Sequence, residues 1–404
     1  MIFKIAFRNI FRQKRRTILT VLTMCGGFVL ACFTIGWMEG TYNNIINTFT
    51  KSQLGHIQIH YGDYLDRPKI YKTIKNPQEV GRTIMGIDGI EAWAPRINSS
   101  GLASLGDKTT GVQIIGIDPT LENEATGFNR KIIRGKPFKK EASRQVILGK
   151  SLARILKADV DSGVVIISQA ADGSMANDIY TVAAVIESGD DLGDRTSFYL
   201  HIDDARELLV LYDRVHEIVV ICSDLDEVKA MAKEIAGALG DSELSVEPWQ
   251  EFAKSFYDAM QSDKQGSWIM MFVVVLIVAV GVLNTVLMTV LERRREYGVL
   301  KAIGMRPYDI FRMVVIEVSV MGFIGVTAGS LLGLGVNYFF SIYGIPMPYE
   351  FTYGGMLFSR GYTELNFMEF YIPAIAVIGS AVLIAIMPSL KAAHVEPARA
   401  MRMH

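Results

Sequence analysis

Cysteine is scarce in this chain, with three in 404 residues. Cys25 and Cys32 fall in an apolar run near the N-terminus, and Cys222 stands alone in a long polar segment. No disulfide can therefore form within that segment. Catalytic signatures are missing too, since neither H-E-x-x-H nor G-x-S-x-G occurs. Gly149, Lys150 and Ser151 look like the end of a phosphate-binding loop, but the glycine required five positions earlier is Arg144. The triplet reads instead as a strand-to-helix turn. His56 and His60 lie on an alternating, strand-like stretch about 13 Å apart at ~3.3 Å per residue, too far to share a metal. They are expected to face solvent. A surplus of positive charge is also lacking: residues 40–267 carry 25 basic against 33 acidic residues, a net of -8. That sign excludes a nucleic-acid partner. No catalytic residue, metal site or cofactor is expected in this chain.

Apolar residues are abundant. Half of the chain is hydrophobic, and its mean hydropathy is +0.26. Four runs, 17–38, 268–291, 313–341 and 370–387, reach the ~20 residues that a helix needs to cross a bilayer. The third is over-long and rich in glycine, which predicts tilt or an extension beyond the bilayer. The expected fold is a membrane α-helical bundle of four transmembrane helices, with a large extracytoplasmic α+β domain at 39–267 between the first and second. Basic residues set the orientation. Residues 1–16 hold Lys4, Arg8, Arg12, Lys14, Arg15 and Arg16 without an acidic residue. The 292–312 loop holds Arg293, Arg294, Arg295, Lys301, Arg306 and Arg312, and the 388–404 tail holds Lys391, Arg399 and Arg402. The 342–369 loop has only Arg360. Both termini and the 292–312 loop are thus expected in the cytoplasm, with 39–267 and 342–369 outside. The first run reads as an uncleaved signal anchor.

The outer domain opens on an amphipathic stretch with Ile45, Ile46 and Phe49 on one face. It closes on another with Trp249, Phe252, Phe256 and Met260 on one face. Two such helices are expected to pair as a stalk, with Ile45, Phe49, Phe256 and Met260 in the seam. Between them, β-branched runs such as "GVQIIGID" and "HEIVVICSD" alternate irregularly with helical patterns such as "LDEVKAMAKEIAGAL".

Two features mark the spans themselves. Gly325, Gly329 and Gly333 repeat every four residues, a face that lets a helix approach closely. Its partner is either the second span, through Gly281, Asn284 and Thr285, or another subunit. Glu317 is an intramembrane carboxylate, expected in an ion pair with Arg312 or Lys301.

The stretch 290–311, "VLERRREYGVLKAIGMRPYDIF", places a short amphipathic helix where the second span stops. An anchor needs only its arginines. An apolar face at Tyr297, Leu300 and Ile303 would be wasted in water unless it lay on the membrane or in a partner's groove.

Three stretches together resemble one family: "AFRNIFRQKRRTILT" (6–20), "ERRREYGVLKAIGMRPYDI" (292–310) and "PSLKAAHVEPARAMR" (388–402). Each is similar to the matching stretch of permeases of the MacB/LolC/FtsX type, the mechanotransmission class of ABC transporters. "VQIIGIDP" (112–119) and "VILGKSLARILKADV" (146–160) resemble that family's periplasmic core domain. The resemblance implies two permeases, a second copy or a paralogue, above a cytoplasmic ABC ATPase dimer, in a bacterial inner membrane. It implies that residues 292–305 form a coupling helix seated in a groove of the ATPase. Glu292, Arg293, Arg295, Glu296, Gly298, Lys301, Ala302 and Gly304 match its pattern. Tyr297 stands where a smaller aliphatic is usual, and Met305 where alanine is usual. ATP and Mg²⁺ would bind the partner ATPase, since the sequence has no Walker motif. The function implied is extraction or export of a hydrophobic or amphipathic cargo: a lipoprotein, lipid, peptide or drug. A periplasmic or outer-membrane component would join in some such systems. The alternative is an FtsX-like signalling subunit that switches a cell-wall hydrolase.

Overall fold

The computed structural model describes residues 6–9, 12, 14–353 and 356–395. Lys4, Arg399 and Arg402 lie outside the described residues. The chain divides into two compact units.

The first unit comprises Met1–Asn44, Gln261–Met347 and Arg360–His404. Its long helices are α1 (Lys14–Phe49), α2 (Lys254–Glu292), α4 (Pro307–Tyr343) and α5 (Met368–Ala393), each long and apolar enough to cross a membrane. A short helix, α3 (Arg294–Ala302), lies between α2 and α4. The helices outrun the apolar runs of the sequence because polar residues at both ends continue the helical hydrogen bonding. A hairpin, Ile345–Tyr353 and Met356–Gly361, occupies much of the segment between α4 and α5.

The bundle core follows the helical repeat. Val278, Val282, Val286 and Val290 of α2 recur every four residues and are all buried, as are Val377, Ala381 and Ala385 of α5. Met24, Phe28 and Cys32 of α1 keep the same interval, and the glycine face of α4 meets them. A side-chain carbon on Gly325 would lie 3.0 Å from Cβ of Met24, and one on Gly329 2.8 Å from Cδ1 of Phe28. One on Gly333 would lie 3.3 Å from Sγ of Cys32. Rows of matched interval interlock, which is ridge-in-groove packing at close range. The partner of this face is therefore α1, not the second span or another subunit. Gly281 of α2 also faces α1, at Thr23, and Asn284 is exposed.

The second unit, Ile45–Met260 with Pro348–Ser359, is built on one ten-stranded sheet. Its strands are β1 (Ile57–Tyr61), β2 (Ile90–Leu105), β3 (Lys108–Ile117), β4 (Ile132–Gly135) and β5 (Gln145–Gly149), followed by β6 (Gly163–Gln169), β7 (Met175–Ile186), β8 (Ser197–His201), β9 (Glu217–Cys222) and β10 (Leu244–Pro248). The order across the sheet is β10-β1-β9-β2-β3-β8-β5-β7-β4, with β6 pairing β2 and β7. Only β3–β8 and β5–β7 run parallel among the described strands. Gly149 closes β5 and Lys150 starts a helix, so the Gly-Lys-Ser triplet is a strand-to-helix turn.

His56 and His60 are buried rather than solvent-facing. His56 lies just before β1, and its Nδ1 accepts the Cys222 amide at 2.9 Å. His60 stacks on Tyr64. At the ends of this unit the rings of Phe49 and Phe256 stack at 3.9 Å with 11° between their planes. Ile45 and Met260 are buried.

Candidate functional site

The site grows from the end of α2. Arg293 breaks the helix between α2 and α3 with φ -91° and ψ 11°, and its side chain turns inward. Nε donates to Oε2 of Glu296 at 2.9 Å. Nη1 donates to Oε2 and Oε1 of Glu317 at 3.0 and 3.2 Å. Oε1 of Glu317 also accepts Nδ2 of Asn9 at 2.7 Å. The Arg293 and Glu317 side chains are 7% and 8% exposed. Burial alone would disfavour the guanidinium charge, but Glu317 and the tyrosine and carboxylate beside it raise the Arg293 pKa above its ordinary value. Glu317 thus has an ion pair, but its partner is Arg293 rather than Arg312 or Lys301.

The cluster extends to α1. Glu296 pairs with Arg12 at 3.6 Å, and Glu292 pairs with Arg16. These outer pairs are solvated, so each contributes little to stability. Lys301 turns to α5, where Nζ donates to the carbonyls of Ala393 and Val395, each at 3.0 Å. A cation at a helix C-terminus satisfies free carbonyls and opposes the negative end of the dipole. The short α3 and its hinge residue thus reach the N-terminal segment through Arg12, α4 through Glu317 and α5 through Lys301, while Glu292 at the end of α2 reaches α1 through Arg16.

The faces of α3 differ from the expected arrangement. Tyr297 is fully buried, and it packs in the bundle core with Ile310 and Met313. Its burial and the nearby carboxylates push the phenol pKa up, against the opposing pull of Arg293. Leu300 is half-buried against the same core, and Gly298 is buried. Of the three apolar residues expected on an outward face, only Ile303 is exposed, at 80%. The reason is packing: the chain's own helix ends supply the apolar surface that Tyr297 and Leu300 need. The outer ridge is instead Arg295, Val299 and Ile303 at intervals of four, beside exposed Arg294 and Ala302. A cleft of about 410 Å³ opens next to it, lined by Asn9, Arg12, Arg293, Arg295, Glu296, Val299 and Leu300. Gly304 ends the unit with φ +106°, a conformation that glycine adopts without strain.

Sequence reasoning missed Asn9, a neutral residue in a basic stretch. It also missed Asn337 and Glu369 at the opposite end of the bundle. Asn337 is a single amide in an apolar helix, and Glu369 falls one residue before the apolar run 370–387. Among the described residues no cluster of side chains fits a metal ion.

Residues 17–238 match the family described as MacB-like periplasmic core domain. Residues 268–397 match the one described as FtsX-like permease C-terminal. The chain is 24% identical over 332 residues to the lipoprotein-releasing system transmembrane protein LolC of Neisseria meningitidis serogroup B, covering 78% of each. It is 23% identical over 355 residues to the macrolide export ATP-binding/permease protein MacB of Campylobacter jejuni, covering 86% of this chain and 55% of that one. The periplasmic region of MacB from Actinobacillus actinomycetemcomitans superimposes with a TM-score of 0.38 and 16% identity, over 52% of this chain and 94% of its own. With the periplasmic-core match covering more than half of the sequence and the permease match following it, the chain belongs to the MacB/LolC/FtsX family of ABC transporter permeases.

Proposed function

We propose that this permease couples ATP hydrolysis in a separate cytoplasmic ATPase dimer to movement of its extracytoplasmic domain, and so extracts or exports a hydrophobic or amphipathic cargo. One observation carries the reading: α3 is tied to the other helices of the bundle on one side and presents a free basic and apolar ridge on the other. A force on Arg295, Val299 and Ile303 would reach α4 through Arg293 and Glu317. It would reach α5 through Lys301. An anchor alone requires no such ties.

In this reading α3 and both termini face the cytoplasm, as the basic flanks require. ATP and Mg²⁺ belong to the ATPase. Likeness to LolC, named for lipoprotein release, favours a lipid-modified protein as cargo. The mate is a second copy or a paralogue, and lipids surround both.

Co-purification of the tagged chain from membranes in mild detergent tests the reading. The native chain is expected to bring down ATPase activity. Val299→Asp with Ile303→Asp, both on the exposed ridge, is expected to lose that activity without a change in the unfolding midpoint. Retention of the ATPase by this variant would rule out the ridge as the handle.

A further inference from the structure

Among the described residues the bundle holds two buried carboxylates, Glu317 and Glu369, and they are treated differently. Glu317 lies against an arginine. Glu369, in the first turn of α5, is 0% exposed, and among the described residues no lysine or arginine pairs with it. Its Oε2 accepts Nδ2 of Asn337 at 3.2 Å, and a backbone hydrogen bond from Asn366 to the carboxyl group favours its charge, though less than burial opposes it. Its Oε1 has no hydrogen-bond partner. Asn337 is also 0% exposed. Its amide nitrogen further approaches the carbonyl of Cys32 at 3.4 Å, while its Oδ1 has no partner. The two unsatisfied atoms are thus both acceptors, one on each side chain.

The surrounding charge makes matters worse for an anion. On α1 the neighbours are Cys32 and Glu39, and on the segment before α5 the neighbour is Glu364. Lys264 of α2 is engaged by Glu39 at 3.2 Å, and Glu364 is held by Asn43. α4 contributes only the neutral Asn337. A buried, uncompensated carboxylate costs several kcal/mol, and such a group neutralises itself instead. A proton would remove the charge and add a donor to a site that has only surplus acceptors.

The site also joins three helices. A side-chain carbon on Gly36 of α1 would lie 2.7 Å from Nδ2 of Asn337 and 2.8 Å from Oε2 of Glu369. The Gly36 carbonyl accepts the Glu364 amide at 3.0 Å, and Thr363 Oγ1 donates to the Asn337 carbonyl at 2.6 Å. The backbone of α1 is therefore seated directly on the Asn337–Glu369 pair.

We propose that Glu369 is a proton-binding site, held as a neutral carboxylic acid in this arrangement of the bundle, and that loss of its proton loosens the seat of α1 on α4 and α5. The proton is the ligand, and Glu369 its carrier. The inference stands apart from the identity of the ATPase or the cargo.

Infrared difference spectroscopy of the full chain in detergent tests it. At neutral pH the native chain is expected to show the carbonyl stretch of a protonated carboxyl group, absent in Glu369→Gln and retained in Glu317→Gln. Alkaline titration is expected to convert that band into carboxylate stretches. Glu369→Gln is expected to fold with an unfolding midpoint at neutral pH no lower than the native one, because an amide copies the neutral acid. Its midpoint should also lose the decline that the native chain shows as pH rises from the ordinary carboxylate range to neutrality. Loss of a carboxylate band instead of the acid band in Glu369→Gln would overturn the proposal. So would a Gln variant that is destabilised at neutral pH.

Discussion

Nη1 of Arg293 lies between the two oxygens of Glu317, 3.0 Å from one and 3.2 Å from the other, with both side chains buried at the foot of α4. Glu317 has only the neutral Asn9 besides Arg293, and the second partner of Arg293, Glu296, is partly solvated. Removing one partner leaves the other buried and unpaired, which typically costs about 3–5 kcal/mol. Arg293→Ala and Glu317→Ala should each lower the unfolding midpoint sharply in detergent. The pair Arg293→Met with Glu317→Leu should recover most of the loss. Such a recovered protein is expected to keep its fold yet stimulate the co-purified ATPase less, since the tie between α3 and α4 is gone.

Close approach of α1 and α4 makes a second expectation. Gly329→Ala would place a carbon 2.8 Å from Phe28, an overpacking that costs about 1–3 kcal/mol. Gly335→Ala meets nothing within 4 Å, and it should be neutral or slightly stabilising through helix propensity. Thermal unfolding of the two variants side by side separates a packing face from a general preference for alanine.

The stacked rings of Phe49 and Phe256 should be energetically coupled. A double-mutant cycle with Phe49→Ala and Phe256→Ala is expected to give a coupling of about 0.5–1.5 kcal/mol. A coupling near zero would show that the rings touch without holding the two helix ends together.

His56 predicts an acid sensitivity in the second unit. Burial, aided by Lys51, pushes its pKa down to about 4. The unfolded chain would titrate near the ordinary imidazole value of 6.5. Between those two pH values the unfolded state binds more protons, so stability falls as pH falls through this window. The loss amounts to about 3 kcal/mol at most. His56→Gln should flatten the slope of denaturation midpoint against pH, followed by fluorescence of buried Trp93 and Trp249. An unchanged slope would assign the acid sensitivity elsewhere.

The spans were legible because twenty apolar residues in a row have few other physical solutions. Short strands such as β9 were legible for a similar reason, being β-branched and bounded by polar residues. Strand β2 was not. Its sequence, "IEAWAPRINSSGLASL", carries a proline, a glycine and three serines, and only pairing with β3, β6 and β9 makes it a strand. The amphipathic character of α3 was visible, but not which surface would cover Tyr297. Helical periodicity gives a direction on one element and says nothing of its neighbour. The histidines misled for the converse reason. Alternation on β1 marks two faces, and here both are buried. The match between Gly325, Gly329, Gly333 and Met24, Phe28, Cys32 rests on an interval of four in both helices. That interval was present in the sequence, but without a rule for choosing which pair of helices would use it.

Asn284 sits on the exposed side of α2, about 12 Å from its end at 1.5 Å per residue. A carboxamide facing hydrocarbon is an unspent hydrogen-bonding capacity, worth about 1–2 kcal/mol to any helix that meets it with a donor or acceptor of its own. Mass action then enters the stability of the fold. A chain diluted in lipid keeps that cost, whereas a crowded one sheds it. Association through this position would make the denaturation midpoint depend on the protein-to-lipid ratio.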